Sequence, residues 1–306
     1  MNKVMELVNK FSKKAPQLKP YEWMIKHTPQ KEWIDGQGVY LWLAFFFSEI
    51  GAGIYFISLF YNFVLGYIVG WLMTLILGGI IHMKYLGQPK NAWRILLKPK
   101  TSELSRGMWV IMIYAVLGFF QIAGSMINIF PWAGGVFYKI LMAVICLMLI
   151  MHGFATMYVV RAIPSWHSSI VLPLSIISGI WVGSQFVEFF FTIGGKNAHS
   201  LEVWSRVFLF VYICFIVMYL WSTMKESETA EFSIKELIKG MYSEIFYIGV
   251  VGIGIVIPLL LTLAMWSGPN FGLVFIRLVS VFLGDMILRY SIMKSAYYTP
   301  LVNPTR

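Results

Sequence analysis

The chain has 306 residues, 58% of them apolar and only 12% charged, with a mean hydropathy of +0.73 and a formal net charge of +10. Soluble domains carry about 25% charged residues, so this balance excludes one, and no nucleic-acid partner is expected. The two cysteines, Cys146 and Cys214, sit inside apolar runs with no CxxC or ferredoxin-type spacing, so no iron–sulfur cluster ligated by this chain is expected, and no other metal site is expected either.

Residues 1–37 form an amphipathic basic segment. Met1, Val4, Met5, Val8 and Phe11 recur at helical spacing among lysines, the pattern of a helix lying on anionic membrane lipids or against a partner. No cleavable signal sequence is expected in residues 1–35, so the first apolar run is expected to act as the insertion signal. Eight runs long enough for transmembrane helices follow, near 38–60, 62–83, 107–129, 135–158, 169–193, 203–224, 244–266 and 270–291. Tight connections are expected at Phe130–Gly134 and Ser267–Asn270. Between runs two and three, Lys84–Arg106 mixes Trp93, Ile95, Leu96 and Leu97 with basic residues. Residues 225–243 read as a short exposed helix. The expected fold is all-α: eight transmembrane helices in two four-helix bundles, 38–160 and 161–306, with no internal repeat.

With eight spans, the polar segments 1–37, 84–106, 161–168, 225–243 and 292–306 share one side. Of the 24 Lys and Arg residues, only Lys139, Lys196, Arg206 and Arg277 fall toward the other. The positive-inside rule puts both termini in the cytoplasm, in an inner membrane.

Charges inside the spans carry the functional signal. Glu49 lies near the middle of the first run, where a carboxylate costs about 2.5–3.5 kcal/mol on insertion scales. Its same-face neighbours Ala52 and Gly53 allow a second helix to approach. It reads either as a hydrogen-bonded group between helices or as a proton relay. Glu188 and Arg277 lie at similar depth on the fifth and eighth runs and are expected to pair. Asp285 and Arg289, four apart, are expected to bridge along one helix face. His82 and His152 both fall in the cytoplasmic half. Two such histidines can hold a haem b, can bond within the bundle, or can face a quinone carbonyl; haem is the least expected.

Four stretches carry a resemblance. YLWLAFFFSEIGAGIYFISLF from Tyr40 resembles the first helix of the NrfD/polysulfide-reductase membrane-subunit family. SRGMWVIMIY from Ser105 resembles that family's Ser-Arg-Gly-aromatic opening of the third helix. HGFATMYVVRAIPSWHSSIVLPLSIISGIWVG from His152 is similar to its fourth-to-fifth-helix stretch. GDMILRYSIMKSAYYTP from Gly284 is similar to its final helix. The four occur in family order over essentially the whole chain.

The resemblance implies a membrane anchor that exchanges electrons between a quinone, often menaquinone in this family, and a ferredoxin-like iron–sulfur subunit. That subunit would serve a molybdopterin or tungstopterin catalytic subunit. The family's quinone site implies Asp35, Gln37, Tyr40, His82, Arg106, Trp109 and His152 here. Glu49, about 11 residues or roughly 16 Å along its span, lies deeper than a quinone head at the face and is expected to relay protons. Two departures stand out. The family usually has a hydroxyl residue near the position of His152. Polysulfide reductase places its catalytic partners outside the cytoplasm, whereas the lysines here put the corresponding face inside. The competing readings are a proton-coupled transporter and a haem b quinone-reactive subunit; against the transporter, Pro258 is a lone helix interruption with no matching partner.

Overall fold

A computed structural model describes residues 33–127, 129–265, 268 and 270–299. The amphipathic helix expected in residues 1–14 lies outside them. In chain order come α1 (Gly38–Tyr61), α2 (Val64–Tyr85), α3 (Glu103–Ile127), α4 (Val136–Tyr158), α5 (Val171–Ile193) and α6 (His199–Glu226). The short α7 (Glu228–Ile238) precedes α8 (Ile245–Ala264) and α9 (Phe271–Lys294). All but α7 are apolar and long enough to cross a bilayer. Among the described residues there is no strand, and the all-α expectation holds.

The helix ends follow local chemistry. Asn62 takes the left-handed conformation (φ 49°) that closes α1, which asparagine tolerates better than most residues. One residue later α2 begins, so the two helices are forced antiparallel. Asn270 caps α9 with its side-chain oxygen, which accepts from the Gly272 N–H at 2.9 Å. Ser227 caps α7 in the same way. The face holding the start of α1 and the end of α9 is called the near face below; the α1–α2 turn lies at the far face.

α1 is the centre of the molecule. Its apolar stretch is 78% buried, against 17% for α3, whose exposed Val116, Phe119 and Met126 suit a lipid-facing helix. α1 packs against α2 and α4 on one side and α5 on the other. A Cβ at Gly53 would run into the Gly179 carbonyl, and one at Gly183 into the Gly53 backbone. These glycines therefore let the α1 and α5 backbones touch, as small residues do in membrane helix pairs. α5 packs in turn on α6 and α9, and α9 on α8.

Three local features differ from the expectations. α7 forms, but it is not exposed: Ala230, Ile234 and Leu237 are fully buried. Its apolar residues at i, i+4 and i+7 face α6 and α8. Helix α6 extends to His199, one turn beyond the expected 203, because Glu202 and Arg206 pair along its surface and offset each other's charge. Two stretches are π-helical, Met73–Gly78 in α2 and Ile245–Val256 in α8. The second leads directly into Ile257 and Pro258; proline has no N–H to donate and crowds the preceding turn, which a wider turn relieves.

Candidate functional site

A cavity of about 140 Å³ lies among the near-face halves of α1, α2, α3 and α4. Phe45 and Ser48 of α1, Thr74, Gly78 and His82 of α2, Met108 of α3 and His152 of α4 line it. The π-helical turn of α2 supplies Thr74, Leu75 and Gly78, and π-turns of this kind recur at functional sites. The cavity shares Leu75, Gly79, Met83 and Leu86 with a larger open cleft of about 860 Å³, which reaches Gln37 and Lys84 at the near face. The two together make an apolar passage ending at two imidazoles.

Those imidazoles are held by packing. The Phe45 ring stands edge-on to His152 at 5.3 Å and tilted against His82 at 5.9 Å. A Cβ on Gly107 would occupy the space of the His152 ring, so only glycine on α3 leaves room for it. His152 is buried. His82 Nε2 is buried with no hydrogen-bond partner among the described residues. A buried nitrogen without a partner costs free energy; here it borders a cavity that a hydrogen-bonding ligand can enter.

Behind the cavity wall lies a charge cluster. Glu49 is one residue from Ser48 but turned toward α5 and α9. Both its oxygens accept from the Arg289 guanidinium, and its Oε1 lies 3.3 Å from where a Cβ on Gly179 would stand. Arg289 Nε also donates to Asp285 at 3.0 Å, and its Nη2 to Ser178 Oγ at 2.8 Å. Ser178 and Tyr212 donate to Asp285 Oδ1 at 2.5 and 3.3 Å. Two carboxylates thus share one guanidinium, and every member is buried. Toward the far face, Arg277 pairs with Glu188 and donates to Thr262 Oγ1 at 3.1 Å.

The residues that the family pattern assigned to a quinone separate into three groups. His82 and His152 line the cavity, and Gln37 lines its open mouth. Asp35 is held by Lys294, whose Nζ lies 2.7 and 2.6 Å from its two oxygens. Tyr40 is exposed and lines neither space. Arg106 donates to the Pro99 and Lys100 carbonyls, both at 2.9 Å, and Trp109 to the Leu96 carbonyl at 3.0 Å. Their polar groups pin the segment that includes the 3₁₀ turn Pro89–Leu97 over the cleft, where Ala92 closes the cavity. Sequence reasoning missed Ser48, Thr74 and Phe45 in the cavity and Arg289 as the partner of Glu49. Charge balance was the available signal for Arg289, because a buried carboxylate needs a cation nearby.

Among the described residues, no group of three or more His, Cys, Asp and Glu side chains could hold a metal ion. A protein-family model described as "Polysulphide reductase, NrfD" matches residues 25–301. Comparison with curated proteins gives no match.

Proposed function

The chain belongs to the polysulphide reductase NrfD family, whose members are membrane subunits of oxidoreductase complexes, and from that premise we propose that it exchanges electrons between a membrane quinone and an iron–sulfur partner. The partner docks on the basic near face and serves a molybdopterin or tungstopterin catalytic subunit. The lysine distribution supports a cytoplasmic near face.

One observation carries the quinone reading: the unpartnered, buried His82 Nε2 beside His152 at the end of an apolar passage. The residues fit a quinone head. Imidazoles offer hydrogen bonds to carbonyl oxygens, Phe45 offers an aromatic wall, and the apolar cleft leads to the near face. A quinone supplies two-electron, two-proton chemistry. The protein binds the head, excludes water from it and holds protons at imidazole nitrogens beside it.

Glu49 serves this site as a proton relay beside the cavity, taking up a proton and returning it. Its cluster has two carboxylates for one guanidinium, so it can take one proton without building up net positive charge. It lies about 11 residues, or roughly 16 Å, along α1 from the near face, deeper than the cavity mouth.

The test is recovery of the intact complex in mild detergent, with co-purifying proteins identified and bound quinone extracted and counted. Bound quinone in the wild type, lost in a His82→Phe, His152→Phe double variant that still assembles, supports the reading. An assembled wild-type complex without quinone overturns it.

A further inference from the structure

The polar lining of the cavity continues past its wall. Thr74 is buried, and its hydroxyl donates to the Ser48 carbonyl at 3.2 Å. Tyr114 of α3 lies next on the far-face side, its hydroxyl facing Thr74 with no hydrogen bond closed. Its ring stands 5.3 Å from that of Tyr55 on α1. The Tyr55 hydroxyl donates to Gln121 Oε1 at 2.7 Å, and its ring lies 5.0 Å from Tyr67. Tyr67 is one turn inside the far-face end of α2, which starts at Val64.

All five side chains are buried, and among the described residues the Tyr67 and Tyr114 hydroxyls complete no hydrogen bond of full geometry. Their surroundings are apolar: Met142, Ile145, Cys146, Leu149 and Ile150. An apolar core gains nothing from unsatisfied hydroxyls, and phenylalanine would fill the same volume without them. Three tyrosines, a threonine and a glutamine therefore lie buried in succession between the cavity and the far-face end of α2; this succession is called the file. It is separate from Glu49, which faces α5 and α9.

We propose that this file, completed by water between the unpartnered hydroxyls, carries protons between the quinone cavity and the far face. The proposal rests on the quinone reading above. Oxidation of one quinol to quinone releases two electrons and two protons. The electrons pass to the iron–sulfur partner at the near face, and the protons leave through the file to the far face; quinone reduction runs both the other way. Each hydroxyl accepts a proton on a lone pair and donates its own, so no side chain keeps a charge.

The experiment uses the intact complex in liposomes, with a pH-sensitive dye reporting the far-face compartment and extracted quinone counted in parallel. Tyr114→Phe and Tyr67→Phe are compared with wild type. The expected result is unchanged bound quinone, turnover reduced about tenfold or more, and loss of the far-face pH change. Wild-type turnover and an unchanged far-face signal in both variants overturn the proposal. Wild-type complex without bound quinone overturns the underlying reading instead. A readout free of quinone completes the test: infrared spectra in D₂O, wild type minus Tyr114→Phe. A hydroxyl that exchanges readily supports a hydrated file; one that stays unexchanged shows a dry file and overturns it.

Discussion

Arg289 and Glu49 meet as a two-pronged ion pair across 240 residues of chain, joining the last helix to the first in the middle of the fold. The same guanidinium holds Asp285, so the arginine is the single cation of the cluster.

Arg289→Leu is expected to destabilise the protein severely. It leaves two buried carboxylates without a counter-charge, and breaking a buried pair in this way costs about 3–5 kcal/mol. Thermal unfolding in detergent reads the loss. Glu49→Gln behaves differently, because Arg289 keeps Asp285: the complex assembles, and quinone turnover slows. Failure of the Glu49→Gln complex to assemble would make Glu49 a structural bolt only.

His82→Phe separates binding from folding. The variant removes a buried nitrogen that has no partner among the described residues, so stability holds or rises slightly. Quinone affinity is expected to fall about tenfold, the equivalent of about 1.4 kcal/mol for one lost hydrogen bond. Titration of the complex with quinone, beside a melting curve, checks both parts.

Gly107→Ala acts on the site from α3. The added methyl claims the position of the His152 ring, and the imidazole must move. Overpacking of this kind costs about 1–3 kcal/mol. A weaker site in an assembled complex is expected, seen as a raised KM for quinol with little change in melting temperature relative to Arg289→Leu.

Arg106→Gln and Trp109→Phe release the segment over the cleft, since each removes a tether to the Leu96–Lys100 backbone. Limited trypsin digestion is expected to cut near Lys90, Arg94 and Lys100 faster than in wild type, while the transmembrane helices stay intact. Equal cleavage rates would show that the tethers do not hold the segment.

The spans were legible because apolar length and turn residues act locally: Asn62, Gly135 and Asn270 sit where helices end. Family membership was legible for a similar reason, since Ser105–Arg106–Gly107 and Gly284–Asp285 keep their spacing. The depth of His82 and His152 followed from counting along their helices. The burial of α7 did not follow, because Glu228, Glu231 and Lys235 mask a stripe formed by only Ala230, Ile234 and Leu237. The π-helical turns left no compositional mark, since Met73–Gly78 reads like any apolar helix. Partners of Glu49 and Asp35 lay beyond any window, on a helix more than 200 residues away. Arg106 and Trp109 were placed by family pattern, and their contacts with the 96–100 backbone depend on how one loop folds back.

The distance between Glu49 and Arg289 in the chain is also a distance in time. A ribosome adding 5–20 residues per second needs about 12–48 s to make the 240 residues between them. Through that interval the carboxylate lacks its arginine, because α9 (Phe271–Lys294) is the last helix to be made. A helix with an unmatched carboxylate near its middle enters lipid at a cost. That cost is relieved only when the last helix brings Arg289, so the molecule closes from its end back onto its beginning.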